Sequence, residues 1–308
     1  MATPRAATAA LLRQLRRARP SATRQSLRAA TATPPTHARL SSTFSSVNAE
    51  EISHFNGLAA SWWDPHGSSR LLHLMNPLRH DFIRACQAST ADAPPPSSAA
   101  TARYLDVGCG GGIFAESAAR LPTTASVTAI DPSPEVLAIA RAHARRDPAL
   151  RPPQLTYLPA TIETLPVPAT PADRFDVVSV FEVVEHVDSP AEFLARCAPF
   201  VKPGGWLVGS TIARTWVSWL TTNFLAEDVL GIVPKGTHDW NKYINDAELT
   251  AWFAGQSGWA SPRIMGVVYV PGVGWREVAG SEKVGNYFFA FRREIAAWEA
   301  MHVTRGEL

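Results

Sequence analysis

Residues 103–112 read RYLDVGCGGG, and the fold is predicted outward from this stretch. Tyr104, Leu105 and Val107 form a short apolar run typical of a β-strand. Four glycines follow within five positions, and residues 113–121 then have the pattern of a helix. A strand that turns through glycines into a helix leaves backbone N–H groups open and lets a ligand approach the main chain. The stretch indicates a nucleotide-type site, although such turns also occur without a ligand.

An acidic residue ends the next predicted strand. That strand covers residues 126–130, and Asp131 follows it, 23 positions after Gly108. A carboxylate placed about 20 residues past the glycines can accept hydrogen bonds from ribose hydroxyls. The pattern is G-x-G-G-G, in which Ile113 replaces the third glycine of the dinucleotide fingerprint, and no P-loop lysine follows. The residues predict a nucleoside cofactor and leave its identity open.

Strand-type and helix-type segments alternate from there to the C-terminus. Further strands are predicted at 154–158, 175–181, 206–212, 264–270 and 286–291, and helices at 134–146 and 190–200. Alternation of this kind predicts an α/β fold, a doubly wound and mostly parallel seven-stranded sheet whose last strand is antiparallel. Residues 202–205, Lys-Pro-Gly-Gly, are interpreted as a turn into the fifth strand.

A helical cap is predicted before this domain. Asn48 and Glu51 have the spacing of a capping arrangement, and apolar residues recur at helical intervals from Ile52 to Trp62. This helix should either lie across the cofactor cleft or extend the core, and the residue pattern favours the core.

A second group of polar residues follows the strand at 175–181. The sequence there is Glu182-Val-Val-Glu185-His186, and ligands collect beyond the carboxyl ends of strands in doubly wound sheets. Spacings of three and four predict that the two glutamates and the histidine share one side of a helical turn. They can hold magnesium, manganese or zinc. Backbone amides or surface water can equally satisfy them, and His186 can act as a general base instead of a ligand.

The N-terminus differs sharply in composition from the rest. Residues 1–49 contain eight of the 29 basic residues and none of the 27 acidic ones. An Arg-rich, acid-free leader predicts a mitochondrial transit peptide over residues 1–43, followed by the catalytic domain over residues 44–308. A basic arm for nucleic acid or membrane is the alternative, and no nucleic-acid partner is expected. Three widely spaced cysteines indicate no disulfide framework and a reducing compartment.

Residues 213–243 interrupt the alternation with a strongly apolar segment that also contains Glu227 and Asp228. It is too short and too charged to span a bilayer. An amphipathic insert in the membrane interface is favoured, with Trp216 and Trp219 at headgroup depth. A lid folded over the active site is the alternative.

The motifs LDVGCGGG and AIDPS resemble the S-adenosylmethionine site of class I methyltransferases. FNGLAASWWDPHG, EVVEH and IVPKGTHDWNKYI resemble the ubiquinone-biosynthesis O-methyltransferases. This resemblance implies that Gly108, Gly110, Asp131 and Phe181 bind S-adenosylmethionine, and that Arg79 reaches its carboxylate. It also implies that Glu182, Glu185 and His186 bind a divalent cation, with Mg²⁺ expected, and serve catalysis.

The resemblance further implies the substrate and the place of action. The acceptors would be polyprenylated catechols, 3,4-dihydroxy-5-polyprenylbenzoate and demethylubiquinol. The enzyme would lie on the matrix face of the mitochondrial inner membrane, in a complex with other ubiquinone-biosynthesis proteins. Ala213 and Val270 each stand at a position where the family has Asn. These two differences leave details of substrate recognition open. An inactive scaffold and a methyltransferase for another small molecule are the alternatives.

Overall fold

The computed structural model describes residues 44–90, 101–215, 218 and 242–295. The predicted transit peptide and most of the predicted amphipathic insert lie outside these ranges. The helices are α1 (Ala49–Leu58), α2 (Arg70–Ala88), α3 (Ile113–Ala119), α4 (Pro134–Ala144), α5 (Pro190–Cys197) and α6 (Asp246–Ala254). The strands are β1 (Ala102–Val107), β2 (Thr124–Asp131), β3 (Leu155–Pro159), β4 (Phe175–Phe181), β5 (Val201–Ile212), β6 (Arg263–Val270), β7 (Gly274–Glu277) and β8 (Asn286–Arg292).

One sheet organises the chain, in the order β3-β2-β1-β4-β5-β8-β6-β7. The first five strands in this order are parallel, and β8 is antiparallel to β5. Apolar side chains pack on both faces, from α2, α3 and α4 on one face and from α5 and α6 on the other. The predicted doubly wound α/β fold is therefore confirmed.

Two details of the predicted sheet were wrong. The sheet has eight strands instead of seven, because Gly274–Glu277 forms a short edge strand against β6. Residues 202–205 are not a separate turn but belong to β5, where the partner of β4 shifts from Val201 to Trp206. Gly204 has φ of 81°, which glycine adopts without a Cβ penalty, so the strand absorbs the extra residues as an irregularity.

The helical cap forms as predicted, but its role differs in part from the favoured interpretation. The Asn48 side chain accepts hydrogen bonds from the Glu50 and Glu51 N–H groups at 3.0 and 3.3 Å, which caps α1. No residue of α1 is buried, and Ile52, Phe55 and Leu58 line a cavity. The helix therefore borders the cleft, while Phe55 also packs against a buried cluster of Ala59, Trp62, Ile113 and Val136, so the favoured core role holds in part.

The strand directions place the functional groups at one rim. β1 and β4 are adjacent and parallel, with Asp106 opposite Ser179, so the residues that follow these two strands emerge side by side. Helices leave β1 and β4 toward opposite faces, which makes this the switch point where ligands bind in such sheets.

Candidate active site

The turn after β1 is built around left-handed backbone. Gly108, Gly110 and Gly112 have φ of 70°, 52° and 86°, values that residues with a Cβ rarely adopt. The N–H groups of Gly108 and Cys109 donate to the Ile130 carbonyl at 2.9 and 3.0 Å. These bonds hold the loop against the end of β2, where Asp131 lies.

Asp131 is tied to the same turn. Its Oδ2 accepts from the Gly110 N–H at 2.9 Å, and its Oδ1 accepts from the Ser133 N–H at 2.9 Å. Burial raises the pKa of Asp131, and the two backbone bonds partly offset that rise. Each carboxylate oxygen keeps a second lone pair, so both can still accept from a ligand.

Two tryptophans cover the glycine turn. The Trp62 ring lies so close to Gly110 and Gly111 that a Cβ on either would meet it at 2.4 Å. The indole N–H of Trp63 donates to the Gly111 carbonyl at 2.9 Å, and its ring stacks on His143 with centroids 3.5 Å apart. The adjacent residues Trp62 and Trp63 therefore both hold the segment after α1 against the glycine turn.

A cavity of about 620 Å³ joins these features. Gly108, Gly110 and Asp131 line it, together with Arg79 and Phe181. All five residues for which the sequence pattern or the family resemblance implied cofactor binding therefore line one cavity.

Arg79 projects from α2 toward this space while almost wholly buried, at 3% exposure. Its guanidinium lies 4.8 Å from the Phe181 ring centroid and 3.9 Å from Glu182 Oε1. Burial lowers the pKa of Arg79, and the charges of Glu182, Asp106 and Glu185 oppose that shift. Its Nε has no hydrogen-bond partner among the described residues, so the guanidinium can still donate a hydrogen bond to an anion.

Asp106 is a second buried charge that the sequence analysis did not select. Ser179 donates to its Oδ1 at 2.7 Å, while its Oδ2 has no partner in the described part of the chain, and the residue lines the cavity. Burial raises its pKa to about 7. The sequence signal was available, since Asp106 interrupts the apolar run of a buried strand.

Glu182 begins the second group of residues with a strained backbone. Its φ is 56°, an unfavourable value for a residue with a Cβ. The Glu182 N–H donates to Ser210 Oγ at 3.0 Å, and the Ser210 hydroxyl donates to Glu182 Oε1. The strand end of β5 thus holds Glu182 in the left-handed region, where it lines the cavity.

Glu185 and His186 lie on a single 3₁₀ turn, Val184–His186, instead of a longer helical turn. Glu185 is buried and does not line the cavity, whereas Glu182 and His186 do. Burial, followed by the nearby Glu182 charge, raises the pKa of Glu185 to about 7. Its Oε2 has no hydrogen-bond partner in the described ranges.

His186 is held by a residue of the cap helix. Its Nδ1 lies 3.0 Å from Glu51 Oε2, and its ring contacts Phe55 edge-on with centroids 5.0 Å apart. Burial alone would lower the pKa of His186, but the hydrogen bond to Glu51 and the nearby carboxylates raise it overall. Local sequence spacing could not predict that Glu51 contacts His186, because the two residues are 135 positions apart.

The donors for a divalent cation are present but not assembled. Within residues 44–90, 101–215, 218 and 242–295, no three His, Cys, Asp or Glu side chains are grouped so that they could hold a metal ion. The unpartnered Glu185 oxygen and its repulsion from Glu182 are features that a cation would relieve. Binding through all three residues therefore requires movement of at least one side chain.

The chain is similar to known methyltransferases. A family model described as a methyltransferase domain matches residues 78–260. The mitochondrial ubiquinone biosynthesis O-methyltransferase of Schizosaccharomyces pombe is 43% identical, over 82% of this chain and 89% of that protein. The protein of the same name from Candida albicans is 41% identical, over 80% of this chain and 86% of that protein.

Solved structures support the fold. The plantazolicin methyltransferase BpumL, in complex with a substrate analogue and SAH, matches with a TM-score of 0.52 at 16% identity. The match covers 80% of this chain and 97% of that one. From the relatives and the family model, the chain belongs to the S-adenosylmethionine-dependent ubiquinone biosynthesis O-methyltransferases.

Proposed function

We propose that this protein transfers a methyl group from S-adenosylmethionine to a catechol oxygen of polyprenylated ubiquinone precursors. The expected acceptors are 3,4-dihydroxy-5-polyprenylbenzoate and demethylubiquinol. One observation carries the proposal: a single cavity is lined by Gly108 and Asp131 and, at the adjacent strand end, by Glu182 and His186. A nucleoside cofactor and a second reactant can therefore meet there.

Three polar parts of the cofactor, the ribose, the carboxylate and the amino group, would each meet a complementary side chain in this cavity. Asp131 would accept hydrogen bonds from the ribose hydroxyls through its remaining lone pairs. Arg79 would pair with the carboxylate, since its only carboxylate partner on the cavity side among the described residues, Glu182, is 3.9 Å away. The unpartnered Asp106 oxygen suits the cationic amino group, and Phe181 packs beside Arg79.

The chemistry is a displacement at the methyl carbon. The bond between sulfur and the methyl group breaks, a bond between phenol oxygen and methyl forms, and S-adenosylhomocysteine leaves. A free phenol ionises near pH 10, as tyrosine does, so its proton must be accepted by the protein. In the alternative in which His186 is not a cation ligand, it would accept this proton through Nε2, because Glu51 holds Nδ1.

A divalent cation, with Mg²⁺ expected, is proposed to bind Glu182, Glu185 and His186. An ion held there would favour the ionised form of the phenol. The support is the unpartnered Glu185 oxygen and the donor types at these positions. Thermal melting with Mg²⁺ tests this independently of activity: the wild type should melt higher than without the ion, and Glu185→Gln should not. Equal shifts in both proteins would remove Glu185 from the ligand set.

The relatives from Schizosaccharomyces pombe and Candida albicans are named as mitochondrial proteins. We place this chain in the mitochondrion as well, on the matrix face of the inner membrane and in contact with other ubiquinone-biosynthesis proteins. No helix in the described ranges is long and apolar enough to cross a bilayer. Liposome flotation of the wild type and of a Trp216→Ser, Trp219→Ser protein tests the membrane contact, and equal flotation would contradict a role for residues 213–243.

Methyl transfer to a prenylated dihydroxybenzoate, with and without chelator, tests the function as a whole. Label appearing on the catechol, with transfer reduced by chelator, is the expected result. Binding of S-adenosylmethionine by calorimetry without transfer to this acceptor would contradict the proposed substrate. Absence of cofactor binding would favour the inactive scaffold.

A further inference from the structure

The cavity extends well beyond the residues that would hold the cofactor and the ring. Along the sheet, its lining residues come in spatial order from Asp131 at the end of β2, Gly108 after β1, Glu182 after β4, Ile212 on β5 and Val268 on β6. Neighbouring strands lie about 4.8 Å apart, so β6 is three spacings, or about 14 Å, from β4. The cavity therefore continues across the antiparallel part of the sheet.

The directions of the strands bring this extension to the same rim. β8 is antiparallel to β5, and β6 is antiparallel to β8, so β6 runs in the direction of β4. The end of β6 and the start of β7 then lie on the side where Glu182 emerges. Tyr269 and Trp275, which are paired across these two strands, both line the cavity.

The extension differs chemically from the rest of the cavity. The charged side chains of the lining are Glu51, Arg79, Asp106, Asp131 and Glu182, with His186 titratable beside them. The lining residues that β6, β7 and the turn before β8 contribute include no Asp, Glu, Lys, Arg or His among the described residues. Met75 of α2, Val268 and Trp275 instead give this end apolar walls.

Two hydrogen bonds join the start of α2 to the β6–β7 hairpin, the two elements that form the walls of this extension. The Trp275 indole N–H donates to the Leu71 carbonyl at 3.0 Å, which joins β7 to the first turn of α2. Arg70 donates to the Tyr269 hydroxyl at 3.3 Å on the same junction. Val268 and Val284 also line the cavity yet are 37% and 41% exposed, so they mark the place where it reaches the surface.

We propose that this extension, the passage between the start of α2 and the β6–β7 hairpin, binds the first isoprene units of the substrate's polyprenyl tail and directs the remainder past Val268 and Val284. The inference rests on the proposed function and adds the place of the tail. The cofactor occupies the end at β1 and β2, and the catechol occupies the region of Glu182 and His186. The lining residues toward β6 and β7 give an apolar chain on that ring an uncharged path.

The volume supports the same conclusion. A cavity of about 620 Å³ has the size of a site for one drug-sized ligand. A nucleoside cofactor, a catechol and a long polyprenyl chain exceed it together, so the chain must leave through an opening. An opening lined by exposed valines keeps the chain in apolar contact as it leaves.

The experiment compares two acceptors with the full-length protein: 3,4-dihydroxybenzoate without a tail, and the same acid with a farnesyl chain. Val268→Asp and Val284→Asp each place a carboxylate at the opening. Val167→Asp is the matched control, since Val167 is 45% exposed in the loop between β3 and β4 and is not among the lining residues. Calorimetry with S-adenosylhomocysteine confirms that each variant is folded and binds cofactor.

The expected result is selective. Each opening variant should lose about tenfold or more in kcat/KM for the farnesylated acid, because a charge meets apolar surface, and should stay within about twofold for the tailless acid. Val167→Asp should match the wild type on both. Equal loss on both acceptors, or no loss on the farnesylated acid, would overturn the tail site. Wild-type protein that binds cofactor but methylates neither acid would overturn the proposed function itself.

Discussion

His186 Nδ1 lies 3.0 Å from Glu51 Oε2, so a residue of the cap helix fixes the orientation of the imidazole at the end of β4. Lys242 also contacts Glu51, at 3.3 Å, and Asp188 at 3.4 Å. Burial would raise the pKa of Glu51. The hydrogen bonds and positive charges of His186 and Lys242 outweigh that effect and bring the pKa below its ordinary value. The carboxylate is thereby kept ionised to hold the ring.

Glu51→Gln should lower kcat about tenfold or more, because an amide orients the imidazole less firmly, whether His186 binds the cation or accepts the proton. The affinity for S-adenosylmethionine should stay within about twofold, since Glu51 is not among the groups assigned to the cofactor. Steady-state kinetics and calorimetry measure the two quantities. Glu50→Gln is the control on the same helix, because Glu50 is exposed. A wild-type kcat for Glu51→Gln would show that the contact does not position His186.

Glu185→Gln should change stability in a way that depends on pH. Burial and the Glu182 charge raise the pKa of Glu185 from 4.5 to about 7, so the native state binds this proton more tightly than the unfolded state. Stability from this group is complete below about pH 4.5 and is lost as pH rises through about 7. The neutral glutamine avoids that loss.

Urea unfolding at pH 5 and pH 8 measures the difference. At pH 8 the variant should be more stable than the wild type, by about 3 kcal/mol at most. At pH 5 the two proteins should differ little. Glu163→Gln, in the partly buried pair with Ser46, is the control for removing a carboxylate elsewhere. A variant that is less stable than the wild type at both pH values would mean that Glu185 is held by a favourable charge partner.

Much of the fold follows from the sequence because strands such as β1 and β4 are short apolar runs that end in turn residues. The run ending at Phe181 and the glycines after Val107 placed both strand ends correctly. The Gly274–Glu277 strand was missed because only one of its four residues, Trp275, is apolar, so no period of two is visible. Residues 202–205 were misread because Pro and two glycines usually mark a turn, whereas here they form an irregularity inside β5.

The candidate site was only partly predictable for a related reason. Motif spacing located the groups that follow a strand directly, such as Asp131 and Glu182. The groups that orient such residues come from other segments: Ser210 of the neighbouring strand holds Glu182, and Glu51 of the cap holds His186. Their pairing depends on strand order and helix docking, which local periodicity does not encode. Trp62 and Trp63 were unpredictable for the same reason. A pair of tryptophans indicates that the segment packs against something, but the sequence does not show that the partner is the glycine turn.

Arg79→Lys should weaken cofactor binding through the amino-acid part of the ligand. A lysine loses the paired N–H donors that match a carboxylate and would leave the buried position without the contact over Phe181. S-adenosylhomocysteine should bind about tenfold more weakly to the variant, and methylthioadenosine, which lacks the amino-acid part, should bind equally to both proteins. Calorimetry measures all four affinities. Arg84→Lys on the same helix is the control, because its side chain is 76% exposed. Equal weakening for both ligands would mean that Arg79 supports the site only structurally.

Gly110→Ala should disturb the cofactor turn through two separate effects. Gly110 has φ of 52°, where alanine costs about 1 kcal/mol, and its new Cβ would lie 2.4 Å from the Trp62 ring. The ring or the loop must therefore move, and affinity for S-adenosylhomocysteine should fall about tenfold or more.

Trp62→Ala separates the two effects. If the ring contact dominates, adding Gly110→Ala to Trp62→Ala should cost much less affinity than Gly110→Ala costs in the wild type, because the clash is already absent. Gly57→Ala is the matched control: Gly57 lies in α1, and no atom lies within 4 Å of the position that a Cβ would take there. Alanine at this position should bind cofactor normally and stabilise the helix slightly. Additive effects of the two substitutions would contradict the direct contact and leave only the backbone strain at Gly110.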